Sequence, residues 1–139
     1  MSTSKFRFPL VFKPNIIFST FTDKNHLVTN SGDVPTPVKL LFLGPSINPI
    51  ITNVTTGKFI KINKNIASNE TLEINTGYGK KTVVIINADG SKSNAFNFID
   101  LNSTFWELIV GDNIITYDAD SGAGSAKVYM YFSNRYEGV

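Results

Sequence analysis

A chain of 139 residues with a formal charge of +2 is sized for one domain with its own core, and that charge is too small to argue for nucleic acid or an anionic membrane as partner. Cysteine is absent, which excludes disulfides, thiolate metal sites and thiol nucleophiles, and one histidine, His26, leaves little scope for a His-based metal cluster or catalytic triad. Hydrophobic residues make up 42% and charged ones 17%, with eleven Phe, five Tyr and abundant Asn, a mixture that favours strands and turns over helices.

In chain order, the first stretch carries Lys5, Arg7 and Lys13 among apolar residues. Its longest uncharged run is too short for a signal-peptide core, and no stretch approaches the ~20 apolar residues of a membrane span. The chain therefore reads as soluble, made in the cytosol and without membrane insertion. Residues 1–30 are expected to be a lead-in segment that supplies the first strand or strands, and 31–139 the body of a single domain. Segment 38–43 is apolar on both faces, as a central strand covered on both sides would be. Segments 50–53 and 58–63 flank Val54-Thr55-Thr56-Gly57, a hairpin turn, and alternation puts Ile60 and Ile62 on one face.

Leu72 and Ile74 share a face in segment 71–75, with Glu73 opposite. Thr76-Gly77-Tyr78-Gly79 turns the chain into a strand ending at Ile86, and Asp89-Gly90 marks the next turn. Segment 95–99 is predicted as a strand with Phe96 and Phe98 on one side. Segment 105–110 follows as another, and Gly111-Asp112-Asn113 is predicted to turn the chain into a strand over 114–117. Segment 126–132 alternates Val128, Met130 and Phe132 against Lys127, Tyr129 and Tyr131. About ten short strands with turns every ~8–12 residues predict an all-β fold, a two-sheet antiparallel β-sandwich or jelly roll.

Motifs for chemistry are weak. Gly77-Tyr78-Gly79-Lys80-Lys81-Thr82 resembles a phosphate-binding loop, but Lys81 breaks the Gly-Lys-Thr order and the next segment is a strand. A phosphate loop needs a following helix whose N-terminal amides hold the anion, so a plain turn is the better reading. Asp118-Ala119-Asp120-Ser121-Gly122 has the alternating acids of a calcium loop without its closing glutamate, and reads as a hairpin loop. His26 lacks a nucleophile-elbow context. No cofactor or metal is implied, and catalysis has no support. Trp106, Tyr129 and Tyr131 are the candidate binding residues: an exposed aromatic ring complements the C–H face of a sugar or anchors a protein contact. The alternative for all three is packing in the sandwich core or a subunit contact.

An ordered set of motifs then carries a resemblance. Ser31-Gly32-Asp33-Val34-Pro35-Thr36-Pro37 is followed by Asn48-Pro49-Ile50-Ile51-Thr52-Asn53-Val54-Thr55-Thr56-Gly57 and by Leu72-Glu73-Ile74-Asn75-Thr76. Phe105-Trp106-Glu107-Leu108 leads to Gly111-Asp112-Asn113, and Arg135-Tyr136-Glu137-Gly138-Val139 ends the chain. From about Gly32 onward the chain resembles the C-terminal domain of the distal tail proteins of bacteriophages with long non-contractile tails. The resemblance implies a galectin-like β-sandwich at the tail tip of a virion or prophage, assembled in the host bacterial cytoplasm. It implies an architectural role without turnover, docking receptor-binding or other baseplate proteins.

In that family an N-terminal domain builds a hexameric ring, and no such domain precedes the sandwich in this sequence. Either a fragment of a longer protein or a short tail protein would account for that, and alone the chain is expected to be a monomer or weak dimer. The galectin sugar site, a His-x-Asn-x-Arg cluster with Trp, an acid and Arg, is not reproduced: Leu27 and Val28 follow His26, and Trp106-Glu107 runs on into Leu108, Ile109 and Val110. The rival expectation is a carbohydrate-binding module for host cell-wall glycans.

Overall fold

The computed structural model describes residues 26–120 and 127–132, together with the backbone of 15–20. Strands β1 (Asn15–Thr20) and β2 (His26–Asn30) open the described chain. Next come β3 (Lys39–Leu43), β4 (Ser46–Ile47), β5 (Ile50–Asn53), β6 (Lys58–Lys61) and β7 (Asn65–Ile66). The rest are β8 (Thr71–Asn75), β9 (Thr82–Ile86), β10 (Lys92–Asn94), β11 (Gly111–Asp118) and β12 (Lys127–Phe132).

A six-stranded sheet in the order β1-β12-β3-β8-β9-β10 faces a four-stranded sheet in the order β2-β11-β5-β6, and β4 pairs with β7 in a two-stranded ribbon. Every named pair is antiparallel. β1 lies beside β12 in one sheet while β2 lies beside β11 in the other, so the first two described strands flank the last two. This is the expected all-β sandwich.

Alternation builds the core between the sheets. Leu40, Phe42, Leu72, Ile74, Val83, Ile85, Val128, Met130 and Phe132 are buried on the inner face of the large sheet. Val28, Ile51, Ile60, Ile115 and Tyr117 answer from the small one. Phe42 and Tyr117 meet across the gap with ring centroids 5.4 Å apart. Burying one such side chain stabilises the fold by roughly 1.5–3 kcal/mol relative to leaving it in water. Burial also pushes the Tyr117 phenol above its usual range, against the hydrogen bond from Ser46. The neutral hydroxyl bonds Ser46 Oγ at 2.8 Å, which fixes the two-stranded ribbon to the core. Gly44, just before that ribbon, runs so close to the Ala67 backbone that a Cβ there would overlap the Ala67 carbonyl oxygen.

The outer face of the large sheet is different. Leu41, Leu43, Tyr129, Tyr131, Val84 and Ile86 are half-buried there, so β3 is fully covered on one side only. Glu73 sits in this face between Lys39 at 3.0 Å and Lys92 at 3.5 Å. Partial burial disfavours its charge, but the Lys39 hydrogen bond and the two ammonium charges outweigh that and hold the carboxyl below its usual value.

Three local expectations need correction, all between β10 and the start of β11. Residues Phe96–Phe98 form a single 3₁₀ turn in place of a strand, with Phe96 and Phe98 exposed. Segment 105–110 is an irregular strap whose only ladder-like contact is the Leu108–Thr36 bridge. Gly111-Asp112-Asn113 begins β11 rather than turning into it. Isolated apolar alternation cannot separate a strand from an extended strap, because both place alternate residues against the core.

Candidate functional site

The strap at 105–110 closes one end of the sandwich, and buried asparagines hold it there. Asn30, Asn53 and Asn113 each have 1% or less of their surface exposed. The Asn113 amide donates to the carbonyls of Ile109 at 2.9 Å and Gly111 at 3.1 Å, and its Oδ1 accepts the Ile109 N–H at 3.0 Å. Asn53 donates to Asn113 Oδ1 at 3.1 Å and to the Glu107 carbonyl at 3.2 Å, while its own Oδ1 accepts the Thr56 N–H. Asn30 donates to the carbonyls of Val34 at 3.0 Å and Leu108 at 3.3 Å.

A strap outside the ladders has backbone groups with no strand to pair them, and side-chain amides with both donors and an acceptor fill that role. Leaving such a group unpaired in the interior costs about 1–3 kcal/mol. The abundance of Asn looked like turn chemistry in the sequence. The signal for these two was parity: Asn53 is two residues from Ile51, and Asn113 two from Ile115, so both fall on inward-facing positions.

The candidate binding residues are not brought together. Trp106 has 1% of its surface exposed and lies in the core, its indole N–H donating to the Ile51 carbonyl at 3.2 Å. It takes the packing role weighed as its alternative, because a sugar needs an open ring face. Tyr129 and Tyr131 stand on the outer face of the large sheet, in register with Leu41 and Lys39, and are half-buried. The three residues form no common surface.

A hollow not foreseen from the sequence opens at the strap end. It holds about 320 Å³ and is walled by Pro35, Lys58, Tyr78, Lys81, Phe105 and Glu107. Its volume falls at the low end of the ~300–1,000 Å³ usual for ligand clefts. Tyr78 stands 93% exposed at the rim. The 76–81 loop that carries it is the turn expected there, closed by the Lys80 N–H on the Gly77 carbonyl at 2.9 Å and followed directly by β9.

Other chemistry finds no site in the described residues. No group of three or more His, Asp or Glu is placed to hold a metal ion. Asp120 accepts a hydrogen bond from Asn48 at 2.8 Å, and the rest of that acidic loop, 121–126, lies outside the described residues, as does the terminal Arg135-Tyr136-Glu137-Gly138-Val139 motif. His26 opens β2 in register with Ile115. No described helix is long and apolar enough to cross a membrane.

Comparison with known proteins bears on this architecture. No curated protein sequence matches the chain. Among solved structures, the crystal structure of the SPP1 Dit protein, described as a paradigm of hub adsorption apparatus in phages infecting Gram-positive bacteria, superposes with a TM-score of 0.61 at 12% identity. The match covers 87% of this chain and 46% of that one, so the shared fold accounts for about half of the Dit protein. Residues 31–136 match the family described as siphovirus-type tail component, C-terminal domain. That match takes in the strap, Asn53 and Asn113 and most of both sheets, and the chain belongs to the siphovirus-type tail component family through this C-terminal domain.

Proposed function

We propose that this chain is an architectural part of a siphovirus-type phage tail, the outward β-sandwich of a distal tail protein, and that it docks receptor-binding or other baseplate proteins without catalytic turnover. The family match over residues 31–136 carries this reading, and the fold shared with the SPP1 Dit protein supports it. The site is the tail tip of a virion, with assembly in the cytoplasm of the host bacterium. Near-neutral charge and the absence of cysteine suit a part that packs among other proteins in a reducing compartment. Tyr129 and Tyr131, half-buried on the outer face of the large sheet beside Leu41 and Lys39, are the aromatics we assign to protein contact. Mass spectrometry of purified tails, with immunogold labelling of intact particles, tests the proposal: the chain is expected at the tail tip, and its absence from tails overturns the reading.

The glycan-binding alternative loses its most favourable residue to the core, since Trp106 offers no ring face. A glycan array read with the wild-type chain decides it. Binding that disappears in Tyr129→Ala and Tyr131→Ala, with the fold intact, would restore it. On its own the sandwich is expected to be a monomer or weak dimer, which light scattering measures.

A further inference from the structure

The hollow at the strap end adjoins a second one. Lys81 lines both: the neighbour holds about 260 Å³ and is bounded by Lys81, Thr82, Val84, Asn94 and Phe96. Phe96 and Phe105, one from each hollow, meet edge to face with ring centroids 5.8 Å apart. The two hollows therefore form one trough, with aromatic rings along its wall and Lys81 at its waist.

Its available polar groups are few and of a particular kind. The Thr76 hydroxyl accepts the Val38 N–H at 2.8 Å and donates to the Val38 carbonyl. The Thr56 hydroxyl donates to the Asn53 carbonyl, the Trp106 N–H to the Ile51 carbonyl, and Asn94 Oδ1 accepts the Phe96 N–H. What remains to meet a ligand is the charge of the lysines and Glu107, with the Tyr78 and Thr82 hydroxyls and the Asn94 side-chain N–H beside them. The ion pairs among the described residues are Lys39–Glu73 and Lys92–Glu73, so Lys58 and Lys81 have no carboxylate partner there. Glu107 is the one carboxylate in the lining, against two ammonium groups.

A neutral sugar is fixed by several rigid, directional hydrogen bonds, and this lining has committed most of its rigid groups to the fold. A polyanionic polymer would meet Glu107 as well as the lysines, along walls that are largely apolar. An extended peptide with acidic residues beside apolar ones matches both features, since its carboxylates meet mobile lysines while its apolar side chains lie against rings.

We propose that this trough is the seat of an acidic, apolar-containing segment of a partner tail protein, with carboxylates on Lys58 and Lys81 and an apolar side chain between Tyr78 and Phe105. This rests on the reading of the chain as a docking part of the tail, and it names where on the sandwich one partner sits and by what chemistry.

The test selects a yeast-displayed random peptide library against the folded chain. Enriched peptides are expected to combine Asp or Glu with aromatic or aliphatic residues. Their affinity should fall tenfold or more for K58E/K81E and about fivefold for Tyr78→Ala, while Leu27→Ser, exposed on β2 and outside both hollows, leaves it unchanged. All three altered trough positions are exposed, so the variants are expected to keep the wild-type circular dichroism spectrum. Failure to enrich peptides, enrichment without acids, or affinity indifferent to both trough variants overturns the inference. So does a cell-wall tetrasaccharide that shifts the Tyr78 and Lys81 amide resonances. The tail mass spectrometry above separates the two failures: a chain present in tails whose trough takes no acidic peptide leaves the tail reading standing without this one.

Discussion

The β8–β9 ladder and the 105–110 strap are neighbours in the fold and are held together in opposite ways. In the ladder, Leu72 pairs with Ile85 and Ile74 with Val83, each inward, and the backbone groups satisfy one another strand to strand. In the strap the residues make one isolated bridge, and the backbone is held by side chains from β2, β5 and β11. A ladder is stabilised by its own alternation, whereas a strap depends in part on segments 54 to 78 residues away in sequence, as with Glu107 and Asn53 or Leu108 and Asn30. That freedom from ladder geometry lets the strap end open a trough, where a paired strand would have left a closed edge.

Breaking the strap's anchors should give the largest effects. Trp106→Ala removes the largest fully buried side chain and is expected to cost about 3–5 kcal/mol of stability in urea unfolding. A variant as stable as wild type would mean that the indole does not pack the core. Asn113→Ala should cost about 3 kcal/mol, because the buried Asn53 amide and the partly buried Ile109 amide and carbonyl lose their partner. Hydrogen exchange sharpens the contrast: in Asn113→Ala the Leu108 and Ile109 amides should lose protection first, with those of β8 and β9 nearly unchanged. Equal loss in both regions would dissolve the distinction drawn here.

The smallest effect belongs to the outer face of the ladder. Glu73→Gln removes a partly exposed pair of ion bridges and is expected to cost about 0–1 kcal/mol. Because the folded protein holds the Glu73 carboxyl below its ordinary value of 4.5, the stabilisation is complete above that pH and is lost as the pH falls through the lowered folded value. The wild-type and Glu73→Gln stabilities should therefore converge in acid and part near neutrality. Curves that stay parallel from neutral pH into acid would show that Lys39 and Lys92 do not hold the charge.

Where an element stands in a ladder, its residues were legible from the chain. Strands β5, β6, β8, β9 and β12 follow the alternation of Ile51, Ile60, Leu72 with Ile74, Val83 with Ile85, and Val128 with Met130, because a period of two leaves only one face to bury. The Thr-Gly and Asp-Gly turns were equally plain, with Gly57 and Gly90 at positive φ where a side chain would be strained. The candidate site was much less so. Trp106 and Phe105 are adjacent and both aromatic, yet one is buried in the core and the other stays half-exposed against Phe96. Nothing local distinguishes them, since the difference depends on which residue meets Ile51 from a strand 55 positions earlier.

The sequence by itself determined the class of the fold, the inward set of each ladder strand and, through its ordered motifs, the tail-protein family. Those properties follow from periodicity, turn chemistry and motif order, all of them local. Tertiary structure alone decided that 105–110 is a strap, that three asparagines are buried fasteners, and that Lys58, Tyr78 and Lys81 come together around one hollow. Each depends on which distant backbone group a side chain meets, and the pairing of the two sheets sets that.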